Sequence, residues 1–357
     1  MRRALRALLT AVLAPAVMAP LALAAQPAEP YQEPYDSGWA FYIDNDLFTP
    51  RRTDQDYTGG VSLTLAGRRA QESWYSLDGV RAGADRLLGL DRLYADRSVS
   101  RHSFELGATV FTPRNVGHPE KQVGDRPYAS LVYGANTAAE VQPDRDLAYV
   151  STFTFGLLGL PIVGDAQKAL HRASGSQEPE GWEHQISHGG EPTLRYSFAR
   201  VDRQWAGTLA GSHGELTTTW RASAGYITEA SFGMATRFGQ FQTPWWSYNP
   251  QIAEYAEKSV PVVGSEGGGA EHYLWGGFNV KARLYNAFLQ GQFRPSDVTF
   301  SASELNHALL EAWVGYTFAT SGGWRFSYLL RSQSSEVKSG PANRSETWGG
   351  IVVSYAK

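Results

Sequence analysis

The chain has 357 residues, no cysteine, and a formal net charge of -3 at pH 7. The lack of cysteine excludes disulfides and thiol nucleophiles, and the weakly acidic charge gives no support for nucleic-acid binding. Trp, Tyr and Phe make up 13% of the residues, yet no apolar run after the N-terminal stretch reaches the roughly 18 residues of a transmembrane helix. Abundant aromatic residues without long apolar runs favour a membrane β-barrel, in which lipid-facing and interior residues alternate.

The first 25 residues are typical of a secretory signal. Positive charge at Arg2, Arg3 and Arg6 precedes an apolar run that ends in small residues at Ala24 and Ala25. These are the parts of a signal peptide that is removed on export. We therefore expect a cleaved signal over residues 1–25 and one exported barrel domain over residues 26–357.

Alternation of apolar and polar residues recurs along the rest of the chain at the spacing of barrel strands. An even number of strands is usual in bacterial outer-membrane barrels. We predict an all-β protein, a transmembrane antiparallel up-and-down β-barrel of about 12 strands with short helices in its loops. The predicted strands are 39–43, 57–65, 103–111, 128–141, 147–158, 193–200, 215–227, 230–238, 272–288, 307–318, 324–332 and 347–355.

Three long connections do not have a strand pattern. Residues 67–98 contain a possible amphipathic helix over 77–90, and residues 159–190 contain a helical stretch over 165–172. The third, residues 242–269, begins near a proline and ends in glycines. We expect this third segment to be an extracellular loop.

Asp44, Asn45 and Asp46 stand together where the first predicted strand ends. Carboxylate and amide oxygens are suitable ligands for a hard cation such as Ca²⁺. The alternative is a polar turn or part of the lining of the barrel lumen. Thr58 precedes two glycines at the start of the second strand, where the backbone can approach a ligand closely. A plain hairpin explains that pattern equally well.

His171 is the best single candidate for proton transfer. It lies on the predicted helix over 165–172, and histidine exchanges protons near neutral pH. His184 and His188 follow closely in the chain, so a three-histidine metal cluster stays open, although the spacing matches no known zinc motif. There is no GxSxG nucleophile motif. Asp125 and Arg126 open a later strand, where an ion pair lining the lumen is the simpler interpretation.

These segments together resemble the lipid A 3-O-deacylase family of outer-membrane enzymes (the LpxR type). The order of the motifs along the chain is the same, and the resemblance covers most of the mature chain. The matching residues are Asn45 and Asp46, Asp56, Tyr57, Thr58 and Gly60, Gly124, Asp125 and Arg126, and His171 and Arg172 with Gly175, Trp182 and Gln185.

The resemblance implies a twelve-stranded barrel with its active site between the barrel wall and the outer leaflet of the membrane. It implies calcium-dependent hydrolysis of the 3-linked acyloxyacyl ester of lipid A. Asn45, Asp46, Thr58 and His171 fall on the family's catalytic positions. By this analogy His171 activates a water molecule, Asp46 binds Ca²⁺, and Asn45 and Thr58 orient the ion, the water or the ester.

The chain departs from the family at two positions. Gln177 stands where the family has an acid, with Glu178 beside it as a substitute. A substrate-binding lysine of the family has no clear counterpart, so Arg114 and Lys121 are candidates for substrate binding, together with Arg126. The expected partners are lipid A and the membrane, with no prediction of oligomeric state. The alternatives are a non-enzymatic barrel, as a pore or structural protein, and a phospholipase-like esterase.

Overall fold

The computed structural model describes residues 33–50, 56–94, 98–258, 262–264 and 267–357. Within these ranges the chain forms one closed barrel, in which each strand pairs with the next and the last pairs with the first. All pairings are antiparallel. The predicted signal over residues 1–25 lies outside the described residues. The strands are β1 (Gly38–Asn45), β2 (Asp56–Ala66), β3 (Val99–Thr112), β4 (Ala129–Gln142), β5 (Leu147–Leu158), β6 (Glu191–Leu209), β7 (Ser212–Gly225), β8 (Ile227–Gln240), β9 (Glu271–Asn286), β10 (Ala308–Ala319), β11 (Trp324–Gln333) and β12 (Glu346–Ala356).

Every predicted strand overlaps one of these strands, so the predicted twelve-stranded barrel is confirmed. The alternation was informative because one face of each strand points into the barrel and the other points away from it. In β10, exposed and buried residues alternate without interruption from Ala308 to Ala319. In β11, Trp324, Phe326 and Tyr328 are exposed on the outer face, as their spacing predicts.

The two ends of the barrel differ. Gly38 pairs with Ala356, so the first strand begins and the last strand finishes at the same end of the barrel. We call this the terminal end. The connections 67–98, 143–146, 210–211, 241–270 and 320–323 lie there. The opposite end, which we call the site end, carries the connections 46–55, 113–128, 159–190, 287–307 and 334–345.

Four short helices lie in the described connections. They are α1 (Arg69–Glu72), α2 (Asp78–Leu88), α3 (Pro161–Ser174) and α4 (Ala287–Gln290). The helices predicted over 77–90 and 165–172 correspond to α2 and α3. No helix in the described ranges is both long enough and apolar enough to cross a membrane.

Connection 241–270, predicted to be an extracellular loop, enters the barrel from the terminal end. Trp245, Trp246 and Ile252 pack against small and apolar side chains on the inner faces of β3, β4, β5 and β6. Lys258 forms a buried ion pair with Asp44. The prediction was wrong because loop composition shows that a segment is not a strand, but does not show on which side of the wall it lies.

Buried charges fill much of the remaining interior. Glu254, from the inserted connection, lies 2.8 Å from Arg195, 3.0 Å from Lys281 and 2.6 Å from Arg283. All of these side chains are almost completely buried. Isolated charges in such a place would cost several kcal/mol each, so the acid of the inserted segment and the bases of the wall stabilise one another.

We therefore expect Glu254→Gln to lower the free energy of unfolding by about 3–5 kcal/mol, because it leaves buried cations without their shared carboxylate. The measurement is urea unfolding in lipid vesicles, followed by tryptophan fluorescence. Glu120→Gln is the matched control, since the Glu120 side chain is 81% exposed and 3.9 Å from His118, and such pairs contribute little. Equal stability of both variants would contradict this role of Glu254.

Candidate active site

The end of β1 is a capped turn that fixes Asn45 and Asp46. The backbone of Asn45 is extended, and its side-chain oxygen accepts a hydrogen bond from the Leu47 N–H at 2.7 Å. This cap starts a 3-10 turn over Asp46–Phe48, in which Asp46 is only 1% exposed. Thr49 donates from its hydroxyl to the Asp46 carbonyl at 2.8 Å. The local sequence thus determines the position of Asp46 through an asparagine cap.

Asp44 does not join its two neighbours. It points into the barrel, where its carboxylate contacts the Lys258 ammonium and accepts a hydrogen bond from Tyr57 at 3.3 Å. Asn45 shares the outer face of β1 with Phe41 and Ile43, as the alternation predicts. The three adjacent polar residues are therefore divided between an interior ion pair and the outer rim at the site end.

Thr58 is the extra residue of a β-bulge. The pairing of β2 with β3 shifts between Tyr57 and Gly59, which leaves Thr58 without a cross-strand counterpart and redirects its side chain. The Thr58 hydroxyl lies 2.5 Å from the Thr112 hydroxyl. A Cβ at position 59 would lie 2.4 Å from the Asp44 carbonyl and 3.3 Å from the Asn45 amide nitrogen. Glycine at this position therefore allows the strand bearing Thr58 to approach Asn45.

Helix α3 carries His171 on the outside of the barrel. Pro161 stands in its first turn, where proline is common in helices. The helix is closed by Gly175, whose φ of 71° is typical of a glycine C-cap. Its buried face consists of Val163, Gly164, Gln167 and His171.

Trp182 holds this helix against the wall. Its indole N–H donates to the Gln167 side-chain oxygen at 2.9 Å. Its ring lies 4.9 Å from the Tyr128 ring. Val163 and Trp182 share an apolar cluster with Val110 and Val132, which lie on the outer faces of β3 and β4. The helix thus lies against the outer wall next to Thr112, which is on the same face of β3 as Val110.

His171 is buried except for 7% of its surface, and a backbone carbonyl orients its ring. Its Nδ1 lies 2.6 Å from the Gln177 carbonyl oxygen. Because a carbonyl oxygen only accepts hydrogen bonds, Nδ1 is the protonated nitrogen and Nε2 is the one able to accept a proton. The Ser176 N–H donates to the His171 carbonyl at 2.9 Å, which turns the chain so that Gln177 faces the ring.

The segment after α3 is attached to the connection that follows Thr112. The Glu180 N–H donates to the Val116 carbonyl at 2.8 Å. A Cβ at Gly117 would lie 1.8 Å from the Gln177 side-chain amide, so glycine leaves space for that side chain. Through these contacts, the segment with the Gln177 carbonyl is attached to the connection that follows β3, the strand whose Thr112 contacts Thr58.

Glu178, the expected substitute for the family acid, is occupied elsewhere. It forms two hydrogen bonds with the Arg172 guanidinium, at 3.1 and 2.9 Å. This hydrogen bonding lowers the pKa of the Glu178 carboxyl. The partner of His171 is therefore the Gln177 carbonyl, a backbone group that would be present with any residue at that position.

The three candidates for substrate binding have different environments. Arg114 is exposed at the site end, and its backbone N–H donates to Asp125 at 2.9 Å. Lys121 pairs with Asp297 across two connections, and this hydrogen bond lowers the pKa of the Asp297 carboxyl.

Arg126 is 2% exposed and forms ion pairs with Glu336 and Glu346 inside the barrel. Its guanidinium also lies 4.7 Å from the centre of the Phe111 ring. These contacts place Arg126 in the interior, as the lumen interpretation of its motif predicts, but with Glu336 and Glu346 as its ion-pair partners and not Asp125, which pairs with Arg344. Its role in substrate binding stays a prediction.

The donors near Asp46 are of the kind that calcium binds. Asp46 provides a carboxylate, Asn45 an amide and Thr58 a hydroxyl, all oxygen ligands at one rim. Among the described residues, no group of three His, Asp or Glu side chains is arranged to hold a metal ion. This excludes the three-histidine cluster considered for His171, His184 and His188. Calcium at Asp46 would therefore need neutral oxygens, such as the Asn45 amide, the Thr58 hydroxyl, backbone carbonyls, water or substrate, as its other ligands.

Sequence reasoning missed Thr112 and Gly117. Thr112 pairs with Asp56 in the β2–β3 register and reaches Thr58 only because of the bulge. The Gly59-Gly60 pair was the available signal of irregular backbone. Nothing in the sequence indicates the contact of Gly117 with Gln177, because their connections meet only in the folded barrel.

Comparison with known proteins identifies relatives of the chain. The family model described as outer membrane protein LpxR matches residues 8–357. The solved structure of LpxR from Salmonella typhimurium has a TM-score of 0.68 at 17% identity, covering 89% of this chain and 99% of that chain. The β domain of the Bordetella autotransporter BrkA has a TM-score of 0.38 at 9% identity, covering 90% and 99%. No curated protein sequence matches the chain. The Salmonella likeness shows the shared barrel fold.

The contact of Trp182 with Gln167 can be tested separately from any activity. We expect Trp182→Phe to destabilise α3 locally by about 1–3 kcal/mol, because it leaves the buried Gln167 oxygen without its donor. Amide hydrogen exchange of residues 161–174 should become faster. Trp74→Phe is the control, since Trp74 is 95% exposed at the terminal end. Unchanged exchange in Trp182→Phe would show that the indole N–H does not hold the helix.

Proposed function

Because the chain belongs to the LpxR family of outer-membrane proteins, we propose that it is a lipid A 3-O-deacylase. In this proposal it hydrolyses the 3-linked acyloxyacyl ester of lipid A on the outer face of its barrel. The observation that carries the proposal is the orientation of His171 by the Gln177 carbonyl, on a helix against the outer wall. A histidine held in one tautomer at a lipid-facing rim is suited to activate water against a lipid ester.

His171 acts as the general base. Its Nε2 takes a proton from a water molecule while the water oxygen attacks the ester carbonyl, and the hydrogen bond from Nδ1 to Gln177 stabilises the imidazolium that forms. When the tetrahedral intermediate collapses, the bond from the carbonyl carbon to the 3-oxygen of lipid A breaks. The imidazolium returns its proton to that oxygen. The products are a lipid A hydroxyl and a free acyloxyacyl acid.

Asn45 and Thr58 orient the reacting groups in this proposal. The Asn45 carbonyl oxygen caps the turn over Asp46–Phe48, so its amide nitrogen is the end of the side chain that can donate to the developing oxyanion. The Thr58 hydroxyl, next to Thr112, can donate to the ester or hold the water. Arg114, exposed at the same end, offers a charge to the anionic groups of lipid A.

Asp46 is the proposed calcium ligand. A bound Ca²⁺ would polarise the ester carbonyl and stabilise negative charge on its oxygen. The asparagine cap and the Thr49 hydrogen bond fix the backbone of Asp46 at the rim before any ion binds.

The two alternatives have less support. A pore needs an open lumen, whereas the inserted connection and its ion pairs occupy the interior of this barrel. A phospholipase-like esterase needs a serine hydroxyl against the histidine ring. Ser174 instead donates to the His171 carbonyl at 3.1 Å and lies 3.0 Å from the Ser176 hydroxyl.

The deciding experiment incubates lipid A with the purified protein in detergent micelles and follows the product by mass spectrometry. We expect His171→Ala to lower the rate by about 10²–10⁴-fold, the usual contribution of a general base. Gln177→Ala is the matched variant, and it should keep most of the activity because the orienting group is a backbone carbonyl.

Two results would contradict the proposal. Intact lipid A with folded wild-type protein and Ca²⁺ would remove the deacylase function. Full activity of His171→Ala would leave the reaction but remove His171 as its base. A large loss in Gln177→Ala would show instead that the side chain, and not the carbonyl, positions the ring.

The calcium proposal has a separate test. We expect chelation with EDTA to abolish deacylation and added Ca²⁺ to restore it. Asp46→Asn should need at least about tenfold more Ca²⁺ to reach the same fraction of its full rate, because ligand charge sets the affinity of such sites. Calcium titration of the rate is the measurement, with Asp297→Asn as the control at the same end. An unchanged calcium requirement in Asp46→Asn would exclude Asp46 as a ligand.

A further inference from the structure

A second segment lies on the outside of the barrel, far from the proposed active site. The connection from β2 to β3 carries α1 and α2 at the terminal end and crosses the outer faces of β4, β5 and β6. The Leu77 N–H donates to the Asn136 side chain on β4 at 2.6 Å. The Tyr75 ring lies 4.7 Å from Phe104 on the outer face of β3. The segment is therefore packed on the wall, on the face that would otherwise meet lipid.

The face of α2 turned toward the wall is charged. Arg81 forms ion pairs with Asp78 and Asp85, both at 2.7 Å, and donates to Ser151 of β5 at 2.8 Å. Tyr196 of β6 donates a hydrogen bond to Asp85. These three charged residues are buried, whereas the fourth charged residue of α2, Arg86 in the last turn, is exposed. The acids thus neutralise Arg81 and tie the helix to two strands.

The opposite face of α2 is apolar. Val80 is 53% exposed and Leu87 is 67% exposed, and the preceding Trp74 is 95% exposed. Gly79 and Gly83 of the same helix also face open space. An ordinary surface helix has the reverse arrangement, with apolar residues toward the protein and charges toward water. In α2 three of the four charges are enclosed, and Val80 and Leu87 point away from the protein.

We propose that this outer face of α2, with Trp74, lies in the lipid leaflet at the terminal end of the barrel. The occupant is phospholipid, whose acyl chains cover Val80 and Leu87 near the headgroup boundary. This would explain why Asp78, Arg81 and Asp85 are enclosed, because charged groups in a membrane are paired and turned toward protein, while a long arginine such as Arg86 can extend to the headgroups. Tryptophan is also enriched at the membrane interface.

Continuity with the rest of the barrel surface supports phospholipid as the occupant. The outer faces of the neighbouring strands expose Leu106, at 57%, and Phe155, at 45%. Trp39 and Trp324 pack edge to face, with ring centres 5.7 Å apart, on the same outer surface at the terminal end, as an aromatic girdle does. The exposed side chains of Val80 and Leu87 extend this surface. The proposal does not depend on the deacylase function.

The absence of cysteine from the chain makes a direct test possible. Val80→Cys and Leu87→Cys each carry a nitroxide label, and the protein is reconstituted in phosphatidylethanolamine–phosphatidylglycerol vesicles. Electron paramagnetic resonance then measures collisions of the label with oxygen, which concentrates in lipid, and with a nickel complex, which stays in water. Leu106→Cys is the lipid-facing control. Asp144→Cys, on the exposed turn at the same end, is the water-facing control.

We expect the ratio of oxygen to nickel accessibility at positions 80 and 87 to exceed that at 144 several-fold and to lie between that at 144 and that at 106, because the ratio rises with depth in the lipid. A ratio like that at 144 would place the face in water and overturn the proposal. Immobile labels shielded from both reagents would indicate a protein partner or a second copy of the chain, which would also overturn it. Unfolded samples are recognised by loss of the heat-modifiable band, so every folded sample gives a decisive result.

Discussion

The compensation of charge inside the barrel is the interaction on which the rest of the structure depends. The wall contributes bases such as Arg195, Lys281 and Arg283, and the connection 241–270 contributes the acid Glu254 that they share. Neither set is stable when buried alone. Because the connection must enter the barrel to satisfy these charges, the lumen is occupied. The polar residues available for chemistry are consequently those at the outer rim.

At that rim, ordinary local structure positions each of the candidate residues. An asparagine cap fixes Asp46, a bulge redirects Thr58, and a carbonyl orients His171. Each device is supported by packing against the outer wall, above all by Trp182 beneath α3. The same wall carries α2 at the other end, with Asp78, Arg81 and Asp85 enclosed. Both helices expose large apolar residues, Val80 and Leu87 on α2 and Ile162 and Leu170 on α3, which is consistent with a protein surrounded by lipid.

The strands were predictable from sequence because inward and outward residues alternate, and α2 and α3 were predictable as helices from their local patterns. Alternation also predicts that Asn45 shares a face of β1 with Phe41 and Ile43. The destination of connection 241–270 did not, since its partners are charges on distant strands. Arg126 could be assigned to the interior only when Glu336 and Glu346 were located. The partner of His171 was not predictable because it is a backbone carbonyl and not a side chain.

The most direct test of the central claim, that water attacks the acyl carbonyl of lipid A, is deacylation of lipid A in water enriched in ¹⁸O. Mass spectrometry of both products locates the isotope. Attack on the carbonyl predicts ¹⁸O in the carboxyl group of the released acyloxyacyl acid and none in the new hydroxyl of lipid A. The isotope in the lipid A hydroxyl, or transfer of the acyl chain to another lipid without release of an acid, would contradict the account.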